Sequence, residues 1–108
     1  MAKVLYTGEE CPFDIAMNMV SGRWKLLILW RLMKGPLRFA ALQRLLPHIT
    51  QKTLTQQLRE MEADELISRK AYAEVPPRVE YSLTPLGESV KPVLQELCQW
   101  GKDYQSRR

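Results

Sequence analysis

Among the polar residues between Gln51 and Arg59, two amides, a hydroxyl and two cations could do chemistry on a partner: Gln51, Gln56, Thr55, Lys52 and Arg59. A glutamine amide can pair two-pronged with the edge of an adenine, while Lys and Arg hold phosphate oxygens. These side chains suit a polyanion whose edges carry donors and acceptors. Catalytic chemistry is poorly provided for. His48 is the only histidine, and Cys11 and Cys98 form no Cys-x-x-Cys pair. No general base stands near either thiol in the sequence, so a thiol enzyme built on Cys11 is set aside, and no metal or other cofactor is expected. His48 and the three tryptophans, Trp24, Trp30 and Trp100, read as structural.

The charge distribution supports the polyanion. Sixteen Lys and Arg against twelve Asp and Glu give a net charge of +4, which is modest. From Ile15 to Arg59, however, there is no acid, and eight cations occur: Arg23, Lys25, Arg31, Lys34, Arg38, Arg44, Lys52 and Arg59. Nine of the twelve acids follow from Glu60 onward. Counterion release would draw a nucleic acid to the first half of the chain, the alternative being a solvated basic face with no partner.

The elements that must position these groups are legible from pattern. A length of 108 residues, 45% hydrophobic and 26% charged, fits one soluble globular domain over 1–108 and excludes a disordered chain. The first residues hold Lys3, Glu9 and Glu10 and no apolar block, which argues against a secretory signal. The longest apolar run, Leu26 to Trp30, is far short of a membrane span, so a cytoplasmic location with reduced thiols is expected.

Cys11-Pro12 opens a first helix carrying Ile15, Met19 and Val20, closed by Ser21-Gly22. Trp24 to Lys34 is apolar nearly all round, the mark of a helix buried through the domain, and Gly35-Pro36 ends it. A short stretch Leu37-Arg38-Phe39 leads into a brief helix with Leu42, Leu45 and Leu46 facing inward. Pro47-His48-Ile49-Thr50 breaks it. From about Gln51 to Asp64 a further helix puts Leu54, Leu58 and Met61 on one face, with Lys52, Gln56 and Arg59 opposite and Thr55 on the flank. Thr50 is placed to cap it.

The period then changes to two. Val79 to Leu83 alternates strictly, with Ile67, Ala71, Ala73 and Val75 as a weaker partner strand and Pro76-Pro77 between them, so that Arg78 falls at a hairpin tip. A last helix starts at Thr84-Pro85. Its apolar residues Leu86, Val90, Val93, Leu97, Trp100 and Tyr104 are spaced 4, 3, 4, 3, 4, a heptad seam that suits the matching helix of a second subunit. The competing arrangement, packing on its own domain, gains from Pro92, which should kink the helix.

This order predicts a mainly α fold with a small β-hairpin, a winged helix-turn-helix: a three-helix core, a two-stranded wing and a C-terminal dimerisation helix. In that fold Gln51, Thr55 and Gln56 reach base edges in the major groove, while Lys52, Arg59 and Arg38 hold phosphates. Arg78 at the wing tip would enter the neighbouring minor groove.

The strings Cys11-Pro12-Phe13, Gly22-Arg23-Trp24-Lys25-Leu26-Leu27-Ile28-Leu29, Leu37-Arg38-Phe39, Thr50 to Glu60, Val75 to Thr84 and Cys98-Gln99-Trp100-Gly101 resemble the HxlR-type transcriptional regulators, a branch of the MarR-like winged-helix proteins. The resemblance implies a homodimer on pseudo-palindromic promoter DNA, with segments 1–20 and 85–108 at the interface and repression as the commoner mode. Thr53, inside one of these strings, joins the DNA-binding set. The resemblance also implies oxidant or electrophile sensing through Cys11, although a small apolar residue capping a helix would occupy the same position. One departure concerns Asp64-Glu65-Leu66, where similar proteins carry Asp-Gly-Leu. Without glycine, the helix is expected either to end differently or to carry modest strain in a left-handed cap. A different function class, a winged-helix adaptor that binds protein and no DNA, is disfavoured by the acid-free stretch and by the lack of aromatic anchors on the polar face.

Overall fold

The structure, a computed structural model, describes residues 11–107. Residues 1–10, with Glu9, Glu10 and half of the expected N-terminal dimer segment, lie outside that range. In chain order the elements are α1 (Pro12–Val20), α2 (Lys25–Leu32), β1 (Leu37–Arg38), α3 (Phe39–Leu45), α4 (Gln51–Ala63), β2 (Ile67–Tyr72), β3 (Arg78–Leu83), α5 (Pro85–Glu88) and α6 (Lys91–Arg107).

One apolar core explains their arrangement. Ile28, Leu29 and Leu32 of α2, Leu42 and Leu46 at α3, Leu54, Leu58 and Met61 of α4, and Ile67, Tyr81 and Leu94 are all buried together. Helix α4 meets this core along the predicted stripe, and its start is capped as expected, with Thr50 Oγ1 accepting the Thr53 N–H at 3.1 Å. Such a cap satisfies one of the donors that every helix start leaves open, worth about 1 kcal/mol. Helix α2 is less enclosed than its composition suggests. Trp24 and Trp30 are half-buried and Leu27 is 40% exposed. Leu45, expected to face inward, is also exposed.

The sheet has three strands in the order β1-β3-β2, all antiparallel. Sequence pattern predicts two. Leu37 and Arg38 pair with Tyr81 and Glu80, a ladder too short for alternation to reveal. The partner strand is also shorter than expected, ending at Tyr72, with Val75 wholly exposed.

The last helix departs in another way. It does not run unbroken from Pro85 and kink at Pro92; it stops at Glu88 and restarts at Lys91. A proline ring collides with the carbonyl four residues back, which here belongs to Glu88, so one ladder cannot pass through both. Pro92 instead occupies the first turn of α6, where its missing N–H costs nothing. Thr84 caps α5, its hydroxyl accepting the Gly87 N–H at 3.0 Å and donating to the carbonyls of Glu65 and Leu66. Gly87 is required here, because a Cβ would collide with the Leu66 carbonyl oxygen.

Helix α4 ends at Asp64 in the motif glycine normally serves. The Leu66 N–H reaches back to the Met61 carbonyl at 3.0 Å, and the Glu65 N–H to that of Glu62 at 2.9 Å. Glu65 therefore stands at φ +61°, a left-handed conformation that crowds any Cβ. Replacing Glu65 with Gly removes that crowding and is expected to stabilise the fold by about 1 kcal/mol. Urea denaturation of the two proteins checks this, and an unchanged or lower midpoint for Glu65→Gly contradicts it.

Candidate nucleic-acid interface

Burial of Leu54, Leu58 and Met61 leaves α4 only one way to orient its other side. Gln51, Lys52, Gln56 and Arg59 are exposed there, and Thr55 is partly so. Thr53 is half-buried and engaged with the cap, its hydroxyl oxygen 2.9 Å from the Thr50 hydroxyl that donates to it. It supports the start of α4 more than it offers a group to a ligand. Arg38 is exposed on the outermost strand, opposite Glu80 and immediately before α3.

Arg78 is placed differently from the expected hairpin tip. It pairs with Tyr72 as the first residue of β3, at the base of the loop over residues 73–77. Its guanidinium lies 3.8 Å over the Tyr72 ring, with Nε 3.2 Å from Glu74 and Nη1 3.9 Å from Glu80. The Tyr72 hydroxyl donates to the same Glu80 carboxylate at 3.2 Å. This cluster staples the wing; its cation is spent within the protein. Two other wing cations went unnoticed in the sequence. Arg69 and Lys70 on β2 are exposed, Lys70 with its ammonium 4.8 Å from the Tyr72 ring. Their adjacency in a strand beside the interface helix was the available signal.

Lys25 is the larger surprise. Counted among the cations of the acid-free stretch, it is only 7% exposed and lies 2.8 Å from Glu60 of α4. Glu60 also accepts from Gln56 Nε2 at 3.3 Å. The hydrogen bond from Lys25 holds the Glu60 carboxyl below its ordinary range, outweighing the burial that would raise it, with the Lys25 charge and Gln56 adding smaller effects in the same direction. The signal in sequence was a charge standing directly before the apolar run Leu26 to Trp30.

The expected subunit seam is largely open. Leu86, Val93 and Leu97 are exposed, as are Trp100 at 71% and Tyr104 at 61%. Val90 instead packs against the core, and Leu94, about a quarter-turn round α6 from the seam, is the residue buried in it. Phe13 and Met17 of α1 are exposed apolar groups as well. Cys11 is an exposed free thiol at the N-cap of α1, and Cys98 a half-buried one on α6. Among the described residues no helix is long and apolar enough to cross a membrane.

A family model described as HxlR-like helix-turn-helix matches residues 19–108. The HTH-type transcriptional regulator YkvN of Bacillus subtilis (strain 168) is 57% identical over 95 residues, covering 88% of this chain and 80% of its own. A MarR-family transcriptional regulator from Porphyromonas gingivalis W83 superposes with a TM-score of 0.84 at 41% identity, covering 92% of this chain and 97% of that one. The redox regulator HypR in its oxidised form gives a TM-score of 0.82 at 40% identity, covering 86% and 96%.

The Lys25–Glu60 pair carries a pH signature. A carboxyl whose folded pKa is depressed adds stability above its unfolded value and loses it as pH falls through the folded one. The stability difference between the wild type and Glu60→Gln should therefore be present at neutral pH and close below the ordinary Glu value of 4.5. Urea midpoints across that range test it, and a difference independent of pH contradicts it.

Proposed function

We propose, because the chain belongs to the HxlR-like helix-turn-helix family, that it is a transcriptional regulator binding pseudo-palindromic promoter DNA as a homodimer in the cytoplasm, and that binding represses. The observation that carries this is the outward polar face of α4, with Gln51, Lys52, Gln56 and Arg59 exposed along one side. A helix of about 10–12 Å diameter fits a major groove about 12 Å wide. Gln51, Thr55 and Gln56 meet base edges; Lys52, Arg59 and Arg38 hold phosphates and fix register. Arg69 and Lys70 take over the backbone contacts of the wing, since Arg78 is held by Tyr72, Glu74 and Glu80.

The second subunit is called for by the apolar row Leu86, Val93, Leu97, Trp100 and Tyr104, exposed in the single chain. A contiguous apolar face of this kind marks a protein interface. Two copies related by a two-fold axis place two α4 helices for half-sites about one helical turn apart, roughly 34–36 Å.

Binding measured at several salt concentrations tests the reading. A specific duplex should bind about 1,000-fold or more above random duplex, and both affinities should fall with salt. Lys52→Ala and Arg59→Ala should weaken every sequence alike and flatten the salt dependence by about one charge each. Equal affinity of the wild type for all sequences overturns the regulator.

Oxidant control through Cys11 belongs to the same proposal. It rests on the exposed thiol and on the likeness to HypR, a redox regulator. Diamide is expected to change the DNA affinity of the wild type and leave that of Cys11→Ser unaltered. An identical response in both proteins removes Cys11 from the mechanism.

A further inference from the structure

A solvent-exposed glutamine can turn its amide over at little cost, exchanging the oxygen and the nitrogen. Gln56 is exposed yet has one amide orientation available. Its neighbour Glu60, one turn on, is an ionised carboxylate with acceptors only, so the side facing it at 3.3 Å must be Nε2. Were Glu60 protonated, it would donate to Oε1 and the amide would turn over. The group that holds the Glu60 carboxylate in place is Lys25, 2.8 Å away on α2 and itself buried.

Lys25 is an expensive choice for that position. Burying an ammonium costs several kcal/mol before pairing, and an apolar residue would stabilise the fold as well or better. It also stands at the first residue of α2, where a cation opposes the helix dipole. Packing therefore gives no reason for a lysine, whereas control of Glu60 does.

We propose that Lys25 and Glu60 are positioning residues that lock the Gln56 amide and thereby make the chain prefer adenine over guanine at one base pair. The inference rests on the DNA-binding reading above. With one N–H given to Glu60, Gln56 keeps Oε1 and its second N–H. Adenine answers both, donating from N6 and accepting at N7. Guanine offers acceptors at N7 and O6, so a fixed Oε1 meets an acceptor and is repelled. A carboxylate neighbour held by a buried cation thus turns a flexible reader into a selective one.

The test begins with duplexes recovered by the full-length wild type from a randomised duplex library. Each base pair of the recovered sequence is then changed singly, and the adenine-to-guanine affinity ratio is measured at the position that Gln56→Ala disturbs. The wild type should show a ratio of about tenfold or more there. Glu60→Gln, nearly isosteric and able to keep a bond to Lys25, should bring it close to one, and Lys25→Met should do the same if it folds. Neither should lower the ratio further in a Gln56→Ala background. Uniform loss of charge or stability moves both affinities together and leaves the ratio alone, which separates positioning from a merely structural role. If Gln56→Ala abolishes the preference while Glu60→Gln retains it within about twofold, the positioning proposal falls and DNA reading stands. If Gln56→Ala disturbs no position, the proposal falls on its reader. If the library yields no preferred duplex, both the proposal and the regulator reading fall.

Discussion

The architecture depends on one amphipathic constraint, the burial of Leu54, Leu58 and Met61 against Ile28, Leu29 and Leu32. Fully burying three such side chains on α4 is worth roughly 5–9 kcal/mol. That is comparable to the whole net stability of a small domain. The helix cannot rotate about its axis without exposing that stripe, so the direction of Gln51, Lys52, Gln56 and Arg59 is fixed by groups on the opposite side. The polar face is aimed by packing on the opposite side, so its residues can vary in chemistry without loosening the helix.

What pattern made legible, and what it did not, follows from the range of the interactions involved. The α4 stripe, its Thr50 cap and the strand over Val79 to Leu83 are local, set by spacing of four, three or two residues, and they emerge as read. Strand β1 escaped because two residues contain no period; only the partner β3 defines it. The place of Arg78 depended on where the hairpin closed, and β2 stops at Tyr72, earlier than its apolar residues suggest. The break before α6 was signalled by Pro92 but lies upstream of it, at the residue whose carbonyl the ring would strike. Spacing puts Leu45 inward and the all-round apolar run implies burial of Leu27, yet each lies on the side of its helix that the core does not cover. The polar face of α4 was readable as residue types, whereas the Lys25–Glu60 pair joins positions 35 apart and could be seen only in three dimensions.

Those findings change the meaning of the basic tract. The absence of acids from Ile15 to Arg59 suggested cations available to a polyanion. One of them is neutralised inside by the first acid to follow, and the wing spends Arg78 on Tyr72, Glu74 and Glu80. The exposed cations proposed for the interface, Arg38, Lys52, Arg59, Arg69 and Lys70, come from three different elements, and Arg23, Arg31, Lys34 and Arg44 of the tract are exposed as well. Net charge per segment is therefore a weaker guide than the position of each cation's nearest carboxylate.

The joint between α4 and α5 has a consequence of a different kind. There the Leu66 carbonyl accepts the Thr84 N–H and hydroxyl, and Gly87 lies flush against it with no room for a side chain. Main-chain groups and a single hydroxyl join the end of α4 to α5, while Val90 and Leu94 anchor the start of α6 in the apolar core. The exposed faces of α4 and α6 take no part in this joint. Substitutions on those faces can therefore accumulate along a lineage of such chains while the joint itself is inherited unchanged.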